Sequence, residues 1–501
     1  MFSEFEKVIR RSDMINCVLC HDAPCSAACP HLLDPAKKLR SIWFGNEKTA
    51  AVSLAGAFPC SGCSAPCERS CVRPGQVPVQ KLMERLHDVV LPGLDSGEAP
   101  DKDRLETDLC GIPLENPFLL SSSVVASTYD MCARAFEAGW AGAAFKTICN
   151  FEIHEASPRF SAISGDNNSI IGFKNIEQLS DHSVAENMEI FRHLKKNYPS
   201  KFILASIMGQ NEQEWADLAK MCEDSGADAI ELNFSCPNMA EDGLGSDIGQ
   251  IPDLVEKLTA KAKRGCGIPV LAKLTPNVAS MTPAARAAKR GGADGIAAIN
   301  TIKSIIGVSP YTFVSAPAVH GMSAVGGYSG SAVRPIALRF IEEMTSDPEL
   351  KDLHFSGMGG IETWQDALEF LLLGCTTLQV TTAVMQYGYR IIDDLKDGLN
   401  RYLSVMGFNN VRETVGQGIE KVNATTDVLE RDTVLFPKFE PEKCIGCGRC
   451  MIACRDGGHQ AIRFGEDRRP KLDGKHCVGC HLCVLVCPMN AVIPGPKRIR
   501  R

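Results

Sequence analysis

The 501-residue sequence contains no run of eighteen apolar residues, and its mean hydropathy is −0.05. No membrane-spanning helix is therefore expected. The opening MFSEFEKVIRRSDMINC lacks the apolar core of a secretory signal, which predicts a cytoplasmic protein. Nor is there a surplus of positive charge: 53 Lys and Arg stand against 60 Asp and Glu, a net −7, and the tail PKRIRR is the one basic cluster. Neither nucleic acid nor a membrane is an expected partner. The chain also lacks a GxGxxG fingerprint after its first strand pattern, which argues against a doubly wound dinucleotide-binding sheet.

What the chain has in excess is cysteine, 23 residues, too many for a cytosolic protein unless they hold metal. Eight fall between Cys17 and Cys71 and eight between Cys444 and Cys487, with seven scattered between. This distribution predicts three modules, over residues 1–100, 101–432 and 433–501. The C-terminal block repeats C-x2-C-x2-C-x3-C, first as Cys444, Cys447, Cys450 and Cys454, then as Cys477, Cys480, Cys483 and Cys487 with Pro488 following. In two-cluster ferredoxins three closely spaced thiolates wrap one face of a 4Fe–4S cube, and the fourth Cys of each run reaches the other cluster. The pattern assigns Cys444, Cys447, Cys450 and Cys487 to one cluster and Cys477, Cys480, Cys483 and Cys454 to the other. Arg455 stands where the first run would normally carry Pro. Zinc knuckles are the rival reading, but they pair CxxC groups instead of tripling them. The N-terminal block is looser, with Cys17, Cys20, Cys25 and Cys29, then Cys63, Cys67 and Cys71; there zinc or purely structural thiols compete more strongly.

The middle alternates β-rich apolar runs with amphipathic segments. Strands are expected at 117–123, 142–148, 202–208, 229–235, 269–275, 295–300, 354–360 and 377–383, and helices include 131–138, 214–225 and 363–373. Eight βα units over about three hundred residues are the arithmetic of an α/β fold of the (β/α)8 TIM-barrel class. Active sites of such barrels lie at the C-terminal strand ends. Those ends carry Ser121, Ser122, Lys146, Asn211, Asn233, Ser235, Cys236, Lys273, Asn300, Thr301, Gly359, Gly360, Thr381 and Thr382. Two lysines inside apolar runs point to an anionic ligand. Gly359-Gly360 after strand seven and Thr381-Thr382 after strand eight lie where barrels commonly hold a phosphate. One phosphate site, two lysines and iron–sulfur modules at both ends together suggest FMN.

The runs Asn233-Phe234-Ser235-Cys236-Pro237, Leu271-Ala272-Lys273-Leu274-Thr275-Pro276-Asn277, Ile299-Asn300-Thr301, Gly327-Tyr328-Ser329-Gly330 and Met358-Gly359-Gly360-Ile361 resemble the dihydroorotate dehydrogenase-type barrel of the dihydropyrimidine dehydrogenase family. The similarity runs from about Leu109 into the C-terminal ferredoxin. It implies reversible reduction of uracil and thymine to their 5,6-dihydro forms. The N-terminal block resembles the helical iron–sulfur domain of the glutamate synthase small subunit and of dihydropyrimidine dehydrogenase. That likeness implies one cluster on Cys17, Cys20, Cys25 and Cys71, and a second on Cys29, Cys63 and Cys67 with a fourth ligand from Gln80, Glu84 or Cys60. The departure is architectural: this block is fused directly to the barrel, whereas the two-subunit bacterial enzyme normally carries it on the partner. Electrons are expected from a separate FAD- and NAD(P)H-dependent reductase subunit or a ferredoxin, within a homodimer or heterotetramer.

The resemblance also implies roles. Cys236 acts as general acid toward C5 while the flavin gives hydride to C6; a labile loop thiol is expected, against the plainer fate of a buried Cys used as a small hydrophobe. Asn211, Gln213, Asn233, Ser235, Asn300 and Thr301 hold the pyrimidine, amides being suited because one side chain both donates and accepts; Asx turns and caps are their plainer use. Lys273 sits at the flavin N1–C2 carbonyl edge, and Lys146, Ser121, Ser122, Gly330, Gly359, Gly360, Thr381 and Thr382 complete the cofactor site. A dihydroorotate dehydrogenase-like enzyme, or an electron-transfer subunit of a larger flavoprotein complex, are the alternatives.

Overall fold

A computed structural model describes residues 9, 11–56, 58–93, 102–165, 170–239, 245–423 and 425–499. These form two compact units, Met1–Val422 and Asn423–Arg501. The N-terminal helical block and the barrel thus belong to one unit.

The eight barrel strands are β1 (Phe118–Leu120), β2 (Gly142–Ile148), β3 (Phe202–Ile207), β4 (Ala229–Asn233), β5 (Val270–Lys273), β6 (Gly295–Ala298), β7 (His354–Met358) and β8 (Thr377–Val380). Each pairs with its chain neighbour in parallel, and β8 returns to β1, closing the barrel. The strands are buried along almost their whole length, which is why their sequences are continuous apolar runs and not alternating ones. All but β2 are shorter than the sequence pattern indicates. Several polar residues of the expected strand ends therefore stand in the loops just beyond, as Ser121, Ser122, Ser235 and Cys236 do.

The barrel interior changes character along its axis. At the N-terminal end Leu119, Leu204 and Leu271 form an apolar plug. An antiparallel hairpin, Thr107–Leu109 with Ile112–Leu114, adds Leu109 and Leu114 to it. Toward the C-terminal end the inward residues become polar: Ser206, Glu231, Asn233, Lys273, Ser356 and Gln379, all buried. Helices wrap the outside; the one over Trp364–Leu372 begins with a capping box between Thr363 and Asp366.

Two inter-element segments are too long for plain loops, and together they build a four-stranded antiparallel sheet. Its order is Ile302–Ser304, Gly326–Ser329, Ile170–Asn175, Phe160–Ser164. It brings side chains to the cavity at the barrel's C-terminal end.

The N-terminal domain packs Leu39, Ile42, Ala51, Val79, Leu82 and Leu86 into its own core. It docks on the helix Ile391–Met406 through Asp394, a 2% exposed carboxylate. Arg40 Nε donates to Asp394 Oδ2 at 2.6 Å, Ser41 Oγ to its Oδ1 at 3.1 Å, and Asn46 Nδ2 to its carbonyl at 2.5 Å. Removing one partner of a buried pair typically costs about 3–5 kcal/mol, whereas replacing both by apolar residues is often neutral. Asp394→Ala is therefore expected to lower the thermal midpoint and expose the N-terminal domain to protease. The double variant Arg40→Met/Asp394→Leu is expected to recover most of the loss. Equal losses in the single and double variants would show that the pair does not hold the domain.

In the second unit, Thr433–Phe439 pairs with Val492–Ile499 and Ile462–Phe464 with Pro470–Leu472, both antiparallel. The helix Arg449–Gly457 carries Cys450 and Cys454, and the helix Leu482–Leu485 carries Cys483.

Candidate active site and cysteine cavities

One cavity occupies the C-terminal mouth of the barrel. Of the residues expected there, Ser121, Ser122, Lys146, Asn233, Cys236, Lys273, Asn300, Thr301, Gly330, Gly359, Gly360, Thr381 and Thr382 line it. Three do not. Asn211 is the N-cap of the helix Glu212–Asp224; its Oδ1 accepts from the N–H groups of Gln213 and Glu214 at 3.1 Å, and its Nδ2 donates to Glu214. Gln213 donates to Asp217. Both are exposed, so the helix cap takes up the Asn211 side chain and an i,i+4 bond to Asp217 takes up that of Gln213. Ser235 is fully buried behind the wall: its Oγ donates to Asn233 Oδ1 at 3.0 Å and accepts from Asn300 Nδ2 at 2.8 Å. It orients two lining amides without lining the cavity itself.

The remaining lining comes from residues that sequence reasoning passed over. The antiparallel sheet supplies Phe160, Phe173, Asn175, Tyr328 and Ser329, and the adjoining loops add Glu177, Gln178 and Asn238. The usable signal was loop length, because a stretch of some thirty residues inside a barrel unit seldom lacks structure. Asn238 donates to Glu177 O at 2.7 Å and Asn175 Oδ1 at 3.1 Å, while its own Oδ1 is buried with no partner. An unpaired buried acceptor is costly, and a ring N–H of a bound heterocycle would satisfy it.

The electrostatics of this cavity are balanced. Lys146 Nζ lies 3.3 Å from Glu177 Oε1, which Arg159 Nη1 also approaches at 3.2 Å. Lys273 Nζ lies 3.2 Å from Glu231 Oε1. Burial raises the Glu155 carboxyl above its ordinary range. Cys236 is 6% exposed, and burial pushes its thiol up to about 11 although the Asn238 N–H pulls the other way. The expectation of a labile loop thiol is therefore corrected: desolvation keeps this group protonated at neutral pH, the state a proton donor needs.

At the opposite end, Gly359 and Gly360 have φ of +123° and +80°. A Cβ at Gly360 would stand 2.8 Å from Arg334 Cβ and 2.9 Å from Gly330 O, so only glycine fits. These glycines, the Thr381 and Thr382 hydroxyls and Ser329, whose Oγ lies 3.0 Å from Thr382 Oγ1, form a small polar cradle fit for a phosphate. Ile299, Met358 and Val380 add apolar wall. An apolar wall with two inward lysines and a glycine cradle matches what FMN requires.

The helix Thr382–Tyr387 begins at this cradle. At its far end Tyr387 packs edge-on against Phe44 of the N-terminal domain. Three residues later Arg390 donates to Leu19 O at 2.6 Å and Cys20 O at 3.3 Å. Leu19 and Cys20 line a second cavity of about 290 Å³ together with Cys17, Cys25 and Cys71. Beside it, burial and then the neighbouring Cys29, Cys63, Cys67 and Glu84 push the Cys60 thiol up to about 11. Gln80 Nε2 is committed to the carbonyls of Cys60, at 2.7 Å, and Cys63, at 3.4 Å. All three candidates for a fourth ligand, Gln80, Glu84 and Cys60, thus lie beside this group of thiols.

In the second unit Cys444, Cys447, Cys450 and Cys487 line one cavity, and Cys454, Cys477, Cys480 and Cys483 line another. Backbone N–H groups donate to sulfur at both crossing positions, Ala461 to Cys454 and Ala491 to Cys487, each at 3.2 Å. Among the described residues no three His, Cys, Asp or Glu converge closely enough to hold a single ion. Thiols set around a cavity suit a polynuclear cluster better than one zinc ion.

Residues 104–403 match the dihydroorotate dehydrogenase family, and residues 438–494 match the 4Fe-4S dicluster domain. The chain is 52% identical to the NAD-dependent dihydropyrimidine dehydrogenase subunit PreA of Escherichia coli K12, over 73% of this chain and 89% of that protein. It is 35% identical to the chloroplastic dihydropyrimidine dehydrogenase (NADP(+)) of Arabidopsis thaliana, over 70% and 84% of the two chains. Similarity extends to the catalytic subunit of dihydroorotate dehydrogenase B (NAD(+)) from Pyrococcus abyssi, 37% identical over 63% of this chain and 99% of that one.

Proposed function

The chain belongs to the dihydroorotate dehydrogenase family, and we propose that, as an FMN- and iron–sulfur-dependent pyrimidine oxidoreductase, it reversibly reduces uracil and thymine to their 5,6-dihydro forms. The observation that carries this reading is a buried Cys236 among neutral amides, with both cavity lysines already paired to carboxylates. A neutral ring of carbonyls and N–H groups suits that surface. The carboxylate of dihydroorotate would need a free cation.

When bound, FMN supplies the hydride and the clusters supply its electrons singly. The chain's own residues do the rest. Asn233, Asn238 and Asn300 hold the ring by its amide edge, and Ser235 keeps Asn233 and Asn300 in register. Cys236 Sγ–H gives its proton to C5 and recovers one from solvent. Gly359, Gly360, Thr381 and Thr382 hold the phosphate, and Lys146 and Lys273 face the flavin. The cysteine sets of both ends hold four 4Fe–4S clusters, with the domains running 1–100, 101–432 and 433–501. Reduction by NAD(P)H requires a separate FAD-containing reductase subunit or a ferredoxin, in a homodimer or heterotetramer.

Anaerobic stopped-flow mixing of the reduced holoprotein with single bases tests this. Uracil and thymine are expected to reoxidise the flavin, and orotate is not. Faster reoxidation by orotate would favour the dihydroorotate reaction, and no reoxidation by any base would leave only electron transfer.

A further inference from the structure

Glu231 is the strangest residue inside the barrel. It is fully buried on β4, in an interior that such barrels fill mostly with apolar side chains. An isolated carboxylate there is strongly disfavoured unless paired and hydrogen-bonded. Both its oxygens are engaged. Oε1 lies 3.2 Å from Lys273 Nζ on the adjacent strand β5, and Oε2 accepts from Gln379 Nε2 on β8 at 3.1 Å. Gln379 is itself fixed, since Nε2 also donates to Ser356 Oγ at 3.1 Å and that oxygen accepts from Thr377 Oγ1 at 2.9 Å. A polar chain thus crosses the barrel from β8 through β7 to β5, directly above the apolar plug. It ends on Lys273, whose side chain is 4% exposed and lines the cavity.

Packing does not call for this chain, because an apolar layer would fill the same space. What the chain accomplishes is to hold one carboxylate against one ammonium. A buried cation stripped of its counter-charge tends to give up its proton. We infer that Glu231 is a positioning residue that keeps Lys273 charged and aimed into the cavity, so that the lysine raises the reduction potential of bound FMN. The inference rests on the flavin-facing placement of Lys273 in the proposed function. A fixed cation at the cofactor favours the reduced, more negative form.

The test is a dye-linked redox titration of the holoprotein, with the clusters followed separately by EPR. Lys273→Met is expected to shift the two-electron flavin equilibrium toward the oxidised form. Glu231→Gln, which keeps the size and one of the two acceptor oxygens, is expected to shift it the same way by at least about tenfold, about 30 mV, with FMN and iron content unchanged. An equilibrium within about twofold of wild type in Glu231→Gln, or a shift toward the reduced form, overturns the inference while leaving the placement of Lys273 intact. An unmoved potential in Lys273→Met overturns both. Should Glu231→Gln lose FMN, Gln379→Leu decides, because it leaves both charges in place and frees the carboxylate. A smaller shift of the same sign supports the inference, and no shift overturns it.

Discussion

Replacing Cys236 by alanine is expected to slow pyrimidine reduction by about 10²–10⁴-fold, the usual contribution of a general acid, while FMN and every iron–sulfur cluster stay in place. The thiol belongs to neither cysteine spacing pattern and lines the barrel cavity, not a cysteine cavity. Cofactor content is therefore expected to be indifferent to it, and uracil is still expected to bind through the amides. Cys236→Ser retains a donor of much higher pKa and is expected to lose somewhat less. The pH profile gives an independent reading. With the thiol held up at about 11, the donor stays protonated far above neutrality, and reduction is expected to be flat from about pH 6 to 9. An exposed thiol with the usual value of about 8.5 would begin to fail at the top of that range. The reverse oxidation needs the thiolate, so its rate is expected to rise about tenfold per pH unit over the same range. An alanine variant within about threefold of wild type would make Cys236 a packing residue and remove the mechanistic support for pyrimidine reduction.

Cys454→Ser is expected to empty the cluster site of the second cysteine run and spare that of its own. Sequence order places Cys454 after Cys444, Cys447 and Cys450. The helix Arg449–Gly457 nevertheless carries it away from them, into the cavity lined by Cys477, Cys480 and Cys483. Serine is a poor substitute because its hydroxyl does not ionise as a thiol does. Anaerobically prepared protein is expected to hold about sixteen iron atoms per chain from four 4Fe–4S sites, and the variant about twelve. Cys450→Ser is expected to lose the same amount from the other site. The two variants should then lack different EPR signals. Zinc in place of iron would sink the cluster assignment, and identical residual spectra in the two variants would sink the crossed ligation.

Most of the architecture is legible in the residues alone, because it rests on short-range periodicity. Apolar runs buried on both faces mark eight parallel strands, and a triple-Cys spacing marks a cubane face before any folding is known. Polar side chains at successive strand ends mark the mouth, since all those ends meet at one end of a barrel. Twelve of the fourteen residues proposed on that ground line the cavity.

Tertiary structure alone decided the rest. Asn211 and Gln213 look like ligands in a linear chain, but a helix cap claims the first and a bond to Asp217 one turn on claims the second. The antiparallel sheet over the mouth pairs segments more than a hundred residues apart, a contact no local pattern encodes. The acidity of Cys236 depends on how much water the folded walls exclude. Glu231 reads as an ordinary polar position in a strand. Pairing of the neighbouring strands β4 and β5 turns it into the counter-charge of Lys273, and barrel closure brings Gln379 of β8 to its other oxygen, because charge pairing depends on distance in space and not on separation along the chain.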